Sequence, residues 1–328
     1  MADEGQQGVP KIELTGRLGD ASRADSVVYY AEHDRGLEIA VQVALLTERP
    51  LLLRGDPGSG KSSLARYLAR YLGWRSYERA ITSRSEAMDL LYGYDAVRRL
   101  SEAHGGVAQG AARYVEPGPL WWALDPAGAK RQAAQAKVKD PDGNPELAAA
   151  RAERSRAAGV PPDGAVVLID EIDKAEAELP NDLLVPLGSF RFDIPELSKR
   201  IELPPMRASP DAVSRVVVVV TTNEERDLPP AFLRRCAVHR LEHPDGKHLE
   251  AIATLHFGPP PAEDPQLYAR VAQRVEALRG GRSRASTAEF LDAVQACRRM
   301  GVRTCDPNDV IWRYVEQLTL TKPGIDDR

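Results

Sequence analysis

The sequence has little cysteine, no basic surplus and no long apolar run. Three cysteines in 328 residues, Cys236, Cys297 and Cys305, form no even disulfide framework and suit a reducing compartment. Forty-four basic against 48 acidic residues leave a net charge of −4. That balance argues against wholesale nucleic-acid binding, although a local basic channel stays open. The longest purely aliphatic stretch, Val216 to Val220, is far shorter than the roughly 20 residues that cross a bilayer. Met1-Ala2-Asp3-Glu4-Gly5 has neither a basic start nor an apolar core. A cytoplasmic location and no membrane partner are expected. What is present describes an ordinary globular protein: 43% hydrophobic and 28% charged residues, in a length that fits one large α/β domain and a small second one.

The pattern is organised around Gly55-Asp56-Pro57-Gly58-Ser59-Gly60-Lys61-Ser62-Ser63, which fits G-x-x-x-x-G-K-[ST] at every specified position. Pro50 to Arg54 before it reads as a buried strand, and Leu64, Leu68 and Leu72 behind it recur at helical spacing. Without Cβ atoms, Gly55, Gly58 and Gly60 can take left-handed dihedrals, so that the loop turns its N–H groups onto an anion. The helix behind it aims its positive end at the same place. Lys61 is then expected on the β- and γ-phosphates, and the Ser62 hydroxyl on Mg²⁺.

Along the chain, residues 1–10 read as a flexible tail, and Leu37 to Leu46 as a helix leading into the first strand. Tyr29 and Tyr30 could touch an adenine or belong to the core or surface. Ser76 to Thr82 reads as a strand and Ser85 to Leu91 as a helix start. Tyr92-Gly93-Tyr94 then opens a hairpin-like insertion of about residues 92–116, where the tyrosines either grip substrate at a pore or pack at its base. An alanine-rich, charged insert over about 125–160 reads as two exposed helices around a turn, or as partly disordered. Ala165 to Ile169 is a continuous apolar run ending in Asp170-Glu171, as in a central parallel strand whose carboxyl end meets a ligand. Glu178 to Phe192 reads as helical and then extended, Arg215 to Thr222 as a strand ending at Asn223, and Ala237 to Leu241 as the last strand. Five strands thus predict a doubly wound parallel sheet in a core over 11–245, followed by a helical lid over 246–328. Asp170 is suited to hold Mg²⁺ through water, and Glu171 to orient and deprotonate an attacking water. Cys236, His239 and His243 have tempting metal-ligand spacing, but they span a strand that would point them apart and lack a second cysteine.

Val166-Val167-Leu168-Ile169-Asp170-Glu171-Ile172-Asp173-Lys174-Ala175, with Pro180-Asn181-Asp182-Leu183-Leu184, resembles the Walker B segment of AAA+ ATPases, particularly the MoxR-like and dynein-related branch with its helix-two insert. The resemblance covers about Gly36 to Val294, and the segment Ala127 to Ala158 departs from it. It implies a P-loop NTPase core, with Asn223 as the first sensor that positions the lytic water. Phe232-Leu233-Arg234-Arg235-Cys236 is similar to the arginine-finger segment and aligns Arg235 with the finger. Gly280-Gly281-Arg282-Ser283-Arg284-Ala285 resembles the lid motif loosely, its serine displaced, which makes Arg284 the second-sensor candidate. The resemblance further implies ATP and Mg²⁺, a homo-oligomeric ring (a hexamer) and a protein partner, which in this branch often bears a von Willebrand factor A domain. ATP is favoured over GTP because Asn223-Glu224-Glu225-Arg226 has glutamate where the guanine-reading pattern needs lysine. Two other classes stay open: a nucleotide-controlled binding module with slow hydrolysis, and a nucleic-acid-directed motor, which the charge balance disfavours.

Overall fold

The computed structural model describes residues 16–18, 27–29, 34–105, 110–141, 145–203, 214–279 and 285–321, with backbone alone at 16–18, 27–29 and 145–147. The expected tail at 1–10, Tyr30 and Arg284 lie outside these residues. The described chain forms two compact units, one of residues 34–54 and 64–240, the other of 16–18, 27–29, 55–63 and 241–321. Strands β1 (Gly16–Leu18) and β2 (Val27–Tyr29) pair antiparallel in the second unit.

The first unit starts with α1 (Arg35–Thr47), capped by Asp34. One Asp34 oxygen accepts from the Leu37 amide at 2.8 Å, and the other meets His239 Nε2 at 2.9 Å, so the cap that starts the helix also ties it to the last strand. Next come β3 (Leu51–Arg54), α2 (Lys61–Leu72) and β4 (Arg75–Ala80). The helix expected from Ser85 begins only at α3 (Met88–Leu91). The Ser85 hydroxyl instead accepts from the Thr82 amide at 3.0 Å, a local turn that competes with helix.

The insertion is a two-stranded ribbon, β5 (Tyr92–Tyr94) against β6 (Val115–Pro117), with α4 (Ala96–His104) between its strands. Tyr92 is buried at its base and the Tyr94 hydroxyl accepts from Arg99, which favours the packing account of both tyrosines. After α5 (Pro119–Leu124), whose Trp121 is wholly buried, α6 (Pro126–Ala136) and α7 (Pro145–Ala157) make up the alanine-rich insert. It is two helices, but they are not simply exposed. Ala129, Ala133 and Ala136 form a buried seam at helical spacing, and Gln132 donates to the Ala112 and Val115 carbonyls at 2.6 and 2.8 Å. Ser155 of α7 is fully buried and donates to Leu72 O at 2.9 Å. Alanine suits a close helix approach as well as it suits a solvated face, so composition alone misleads here.

Beyond β7 (Ala165–Asp170) come α8 (Glu178–Asp182) and α9 (Leu184–Ser189). A second antiparallel ribbon follows, β8 (Arg191–Ile194) with β9 (Lys199–Glu202). β10 (Val216–Thr222), α10 (Pro230–Leu233) and β11 (Ala237–Arg240) complete the unit. Five described strands form one parallel sheet in the order β11-β3-β10-β7-β4. β10 is buried at every position and β7 at all but Asp170, which is why both read as unbroken apolar runs. The second unit holds α11 (Gly246–Phe257), α12 (Leu267–Arg279), α13 (Thr287–Met300) and α14 (Val310–Thr319), packed around Leu249, Val271, Phe290 and Trp312.

Candidate functional site

In the first unit the polar groups gather where the central strands end. Parallel register sets Thr222 beside Arg54 and Val220 beside Ile169, so β3, β7 and β10 finish at one edge. There the Thr221 hydroxyl donates to Asp170 Oδ1 at 2.6 Å and accepts from the Glu171 amide at 2.8 Å. Glu171 leaves the strand in the left-handed region, φ 59° and ψ 51°, a conformation that is costly without glycine. Its side chain meets Asn223 Nδ2 through Oε1 at 3.4 Å and Lys174 Nζ through Oε2 at 2.6 Å. That carboxylate holds the Lys174 ammonium above the usual lysine range. Asp173, almost fully buried, accepts from the backbone amides of Asn223 and Glu225 through Oδ2, each at 3.0 Å. Asp170, Glu171 and Asn223 are thus brought together by two strand ends and one capped turn.

In the second unit the segment Gly55–Ser63 has the backbone that its glycines permit, with φ of 140°, 75° and 94° at Gly55, Gly58 and Gly60. A Cβ on Gly55 would lie 2.5 Å from Leu241 O, and one on Gly58 would lie 2.4 Å from Ser286 Cβ. Lys61 is 6% exposed, and its ammonium donates to Gly55 O at 2.7 Å and Asp56 O at 2.8 Å. His243 Nε2 lies 3.2 Å from Asp56 Oδ2. Burial holds that imidazole below its usual range, the Arg279 charge adds to the effect, and Asp56 opposes it. Arg279 donates to Pro244 O at 2.6 Å and Ala285 O at 2.8 Å.

The profile of the AAA domain, dynein-related subfamily, matches residues 50–236. The chain belongs to this family. As an AAA domain it is an ATP hydrolase by class, and the family implies nucleotide binding, typically with Mg²⁺, in members that commonly form rings. No curated protein matches the chain by sequence. Among solved structures, a candidate ATPase from Cytophaga hutchinsonii is 14% identical over 66% of this chain, with a TM-score of 0.39, and this chain spans 49% of that protein. The Thermotoga maritima RuvB Holliday junction branch migration motor is 15% identical, with a TM-score of 0.44, covering 87% of this chain and 67% of that one. A point mutant of the same RuvB gives 16% identity and a TM-score of 0.45, over 86% and 67%.

The other expected residues of this AAA domain fall elsewhere. Arg235 precedes β11, and Ala237 pairs with Leu51 at the start of β3, so Arg235 stands at the amino edge of the sheet. Its side chain is exposed, with one donation to Ala231 O at 3.4 Å. The metal-ligand spacing holds no site: Cys236 donates to Phe232 O, His239 pairs with Asp34 and His243 with Asp56. Burial pushes the Cys236 thiol up to about 12. Among the described residues no group of three or more histidine, cysteine, aspartate or glutamate side chains is placed to hold a metal ion, and no helix is long and apolar enough to cross a membrane. Sequence reasoning passed over Thr221 and Lys174 as partners of the two carboxylates, and Asp173 as the support of Asn223. Only Asp173 and Lys174 had a local signal, their place within two and three positions of Glu171.

Proposed function

We propose that this AAA chain hydrolyses Mg²⁺-ATP in a ring of like subunits and uses the cycle to remodel or activate a protein partner, in the manner of the MoxR-like branch. In the second unit, three positive-φ glycines, two of them with no room for a Cβ, a buried lysine and a serine hydroxyl suit a triphosphate, and in the first unit the strand-end carboxylate suits its magnesium. Gly55, Asp56, Pro57, Gly58, Ser59, Gly60, Lys61, Ser62 and Ser63 would line the phosphates, and Ser62 and Asp170 would face the metal. Bound Mg²⁺-ATP supplies the anhydride to be split and the divalent charge that offsets its oxygens. Asn223 orients the attacking water, Glu171 accepts its proton, and Lys61 balances charge on the phosphates. Arg284 remains the candidate second sensor in the lid.

The observation that carries the ring is the position of Arg235. Four residues of β3, about 13 Å at 3.3 Å each, separate the sheet edge where Arg235 stands from the edge where Asp170 and Asn223 gather. A finger at the far edge from its own chain's carboxylates supports delivery to a neighbouring copy. Glu171→Gln tests the chemistry: nucleotide should still bind while turnover falls by about 10²-fold or more, the lower range for a lost general base. Unchanged turnover would remove Glu171 from the reaction. A partner with a von Willebrand factor A domain and a cytoplasmic location fit the same branch, and both are tested by recovering the assembled particle from cells.

A further inference from the structure

The turn that carries Asn223 is held from two sides. On one side Asp173 accepts from the Asn223 and Glu225 amides, and Arg226 donates to Ala175 O at 3.2 Å and Glu176 Oε1 at 3.4 Å. All of these partners belong to the chain that leaves β7. On the other side stands Glu224, whose carboxylate lies between two arginines. Its Oε1 pairs with Arg54 Nη2 at 2.5 Å, and its Oε2 accepts from Arg240 Nη2. Parallel register explains the meeting: Thr222 and Arg240 are the Cα partners of Arg54 on its two neighbouring strands, β10 and β11. Two guanidinium groups thus end adjacent strands and repel each other, and a single carboxylate has an oxygen for each.

Glu224 reaches that place under strain. It has φ of 61°, in the left-handed region that a residue with a Cβ rarely adopts, and its amide donates to Thr222 Oγ1 at 2.9 Å. The side chains of Arg54, Glu224 and Arg240 are 39%, 24% and 53% exposed. Ion pairs so open to water are worth little each, so holding strands together is a weak reason to keep a strained carboxylate here. Strain of this kind gathers where a neighbouring group has to be fixed for function.

We infer that Glu224 is a positioning residue for Asn223: its carboxylate staples the turn to β3 and β11 and so fixes the Asn223 amide against Glu171. The inference rests on the reading of Asn223 as the group that orients the attacking water. Asp173 grips only the main chain of the turn, whereas the contact from Asn223 Nδ2 to Glu171 Oε1 is long, at 3.4 Å, and a small swing of the turn breaks it. Glu224 acts through Asn223, so its loss falls on kcat and leaves the affinity for nucleotide in place.

Steady-state turnover and thermal unfolding of the full-length protein test this in Glu224→Gln, Glu224→Gly and Asn223→Ala. Glu224→Gln should lower kcat about tenfold, part of the roughly 10²-fold that about 1 Å of misplacement can cost, with KM for ATP within about twofold. Glycine takes a φ of 61° without a Cβ penalty. Glu224→Gly should therefore melt above Glu224→Gln and yet turn over no faster, a divergence that a merely structural role would not give. If Asn223→Ala is slow, a normal kcat in either Glu224 variant overturns the inference and leaves the role of Asn223 standing, as does a rise in KM with kcat unchanged. Normal turnover in Asn223→Ala removes the reading of Asn223 itself, and the inference with it.

Discussion

At the level of single residues, the carboxylate assigned to water activation is engaged at both oxygens. Glu171 Oε2 receives Lys174 and Oε1 receives Asn223. A base has to release a cation before it takes up a proton, so the lysine should restrain turnover. The side chains of Lys174 and Glu171 are 42% and 35% exposed, and a pair so wet contributes at most about 1 kcal/mol. Lys174→Met is therefore expected to raise kcat by no more than about fivefold, with nucleotide affinity unchanged. Steady-state turnover and nucleotide titration check this, and a fall in kcat would mean that the lysine assists the reaction. The proposed catalytic segment was legible in the sequence because Asp170 and Glu171 end an unbroken apolar strand. The clamp was legible only in part: the resemblance already put Asn223 beside the attacking water, whereas Thr221, 51 positions from Asp170, is brought to it only by the pairing of β7 with β10.

Elements differ in how openly the sequence announces them. β3, β7 and β10 are buried and apolar, so they stood out, whereas β8 and β9 are four-residue strands with alternating burial and charged outer faces. Alternation over so few positions is too short to separate a ribbon from a loop. Helix α13 shows the reverse case, in which a local signal fixes a boundary. Ser286 Oγ accepts from the Glu289 amide at 3.3 Å, and Glu289 Oε2 accepts from the Ser286 amide at 2.8 Å, a complete capping box. The same serine leaves no room for a Cβ on Gly58. Ser286→Ala should cost about 0.5–2 kcal/mol, measured as a shift in the denaturation midpoint. Gly58 has φ of 75°, so it carries a second constraint that the serine does not relieve.

For the whole molecule, the direction of the sheet decides what one chain can do by itself. Asp170, Glu171 and Asn223 stand at one end of the strands and Arg235 at the other, so on the proposed reading the two sets serve one reaction when copies meet head to tail. Heterologous contacts of that kind give a ring where the rotation closes and an open filament where it does not. On the proposed reading binding belongs to the single chain and rapid hydrolysis to the assembly, since an arginine finger contributes about 10³ to 10⁵ in rate. Turnover per subunit should accordingly fall steeply when the protein is diluted below its assembly concentration, while nucleotide affinity measured on the same samples stays constant. Arg235→Ala protein, already without the finger, should show a low rate with little dependence on dilution. Light scattering run beside the turnover assay gives the decisive comparison: full turnover in samples of single-chain mass would mean that one copy completes the reaction, and Arg235 would then need another role.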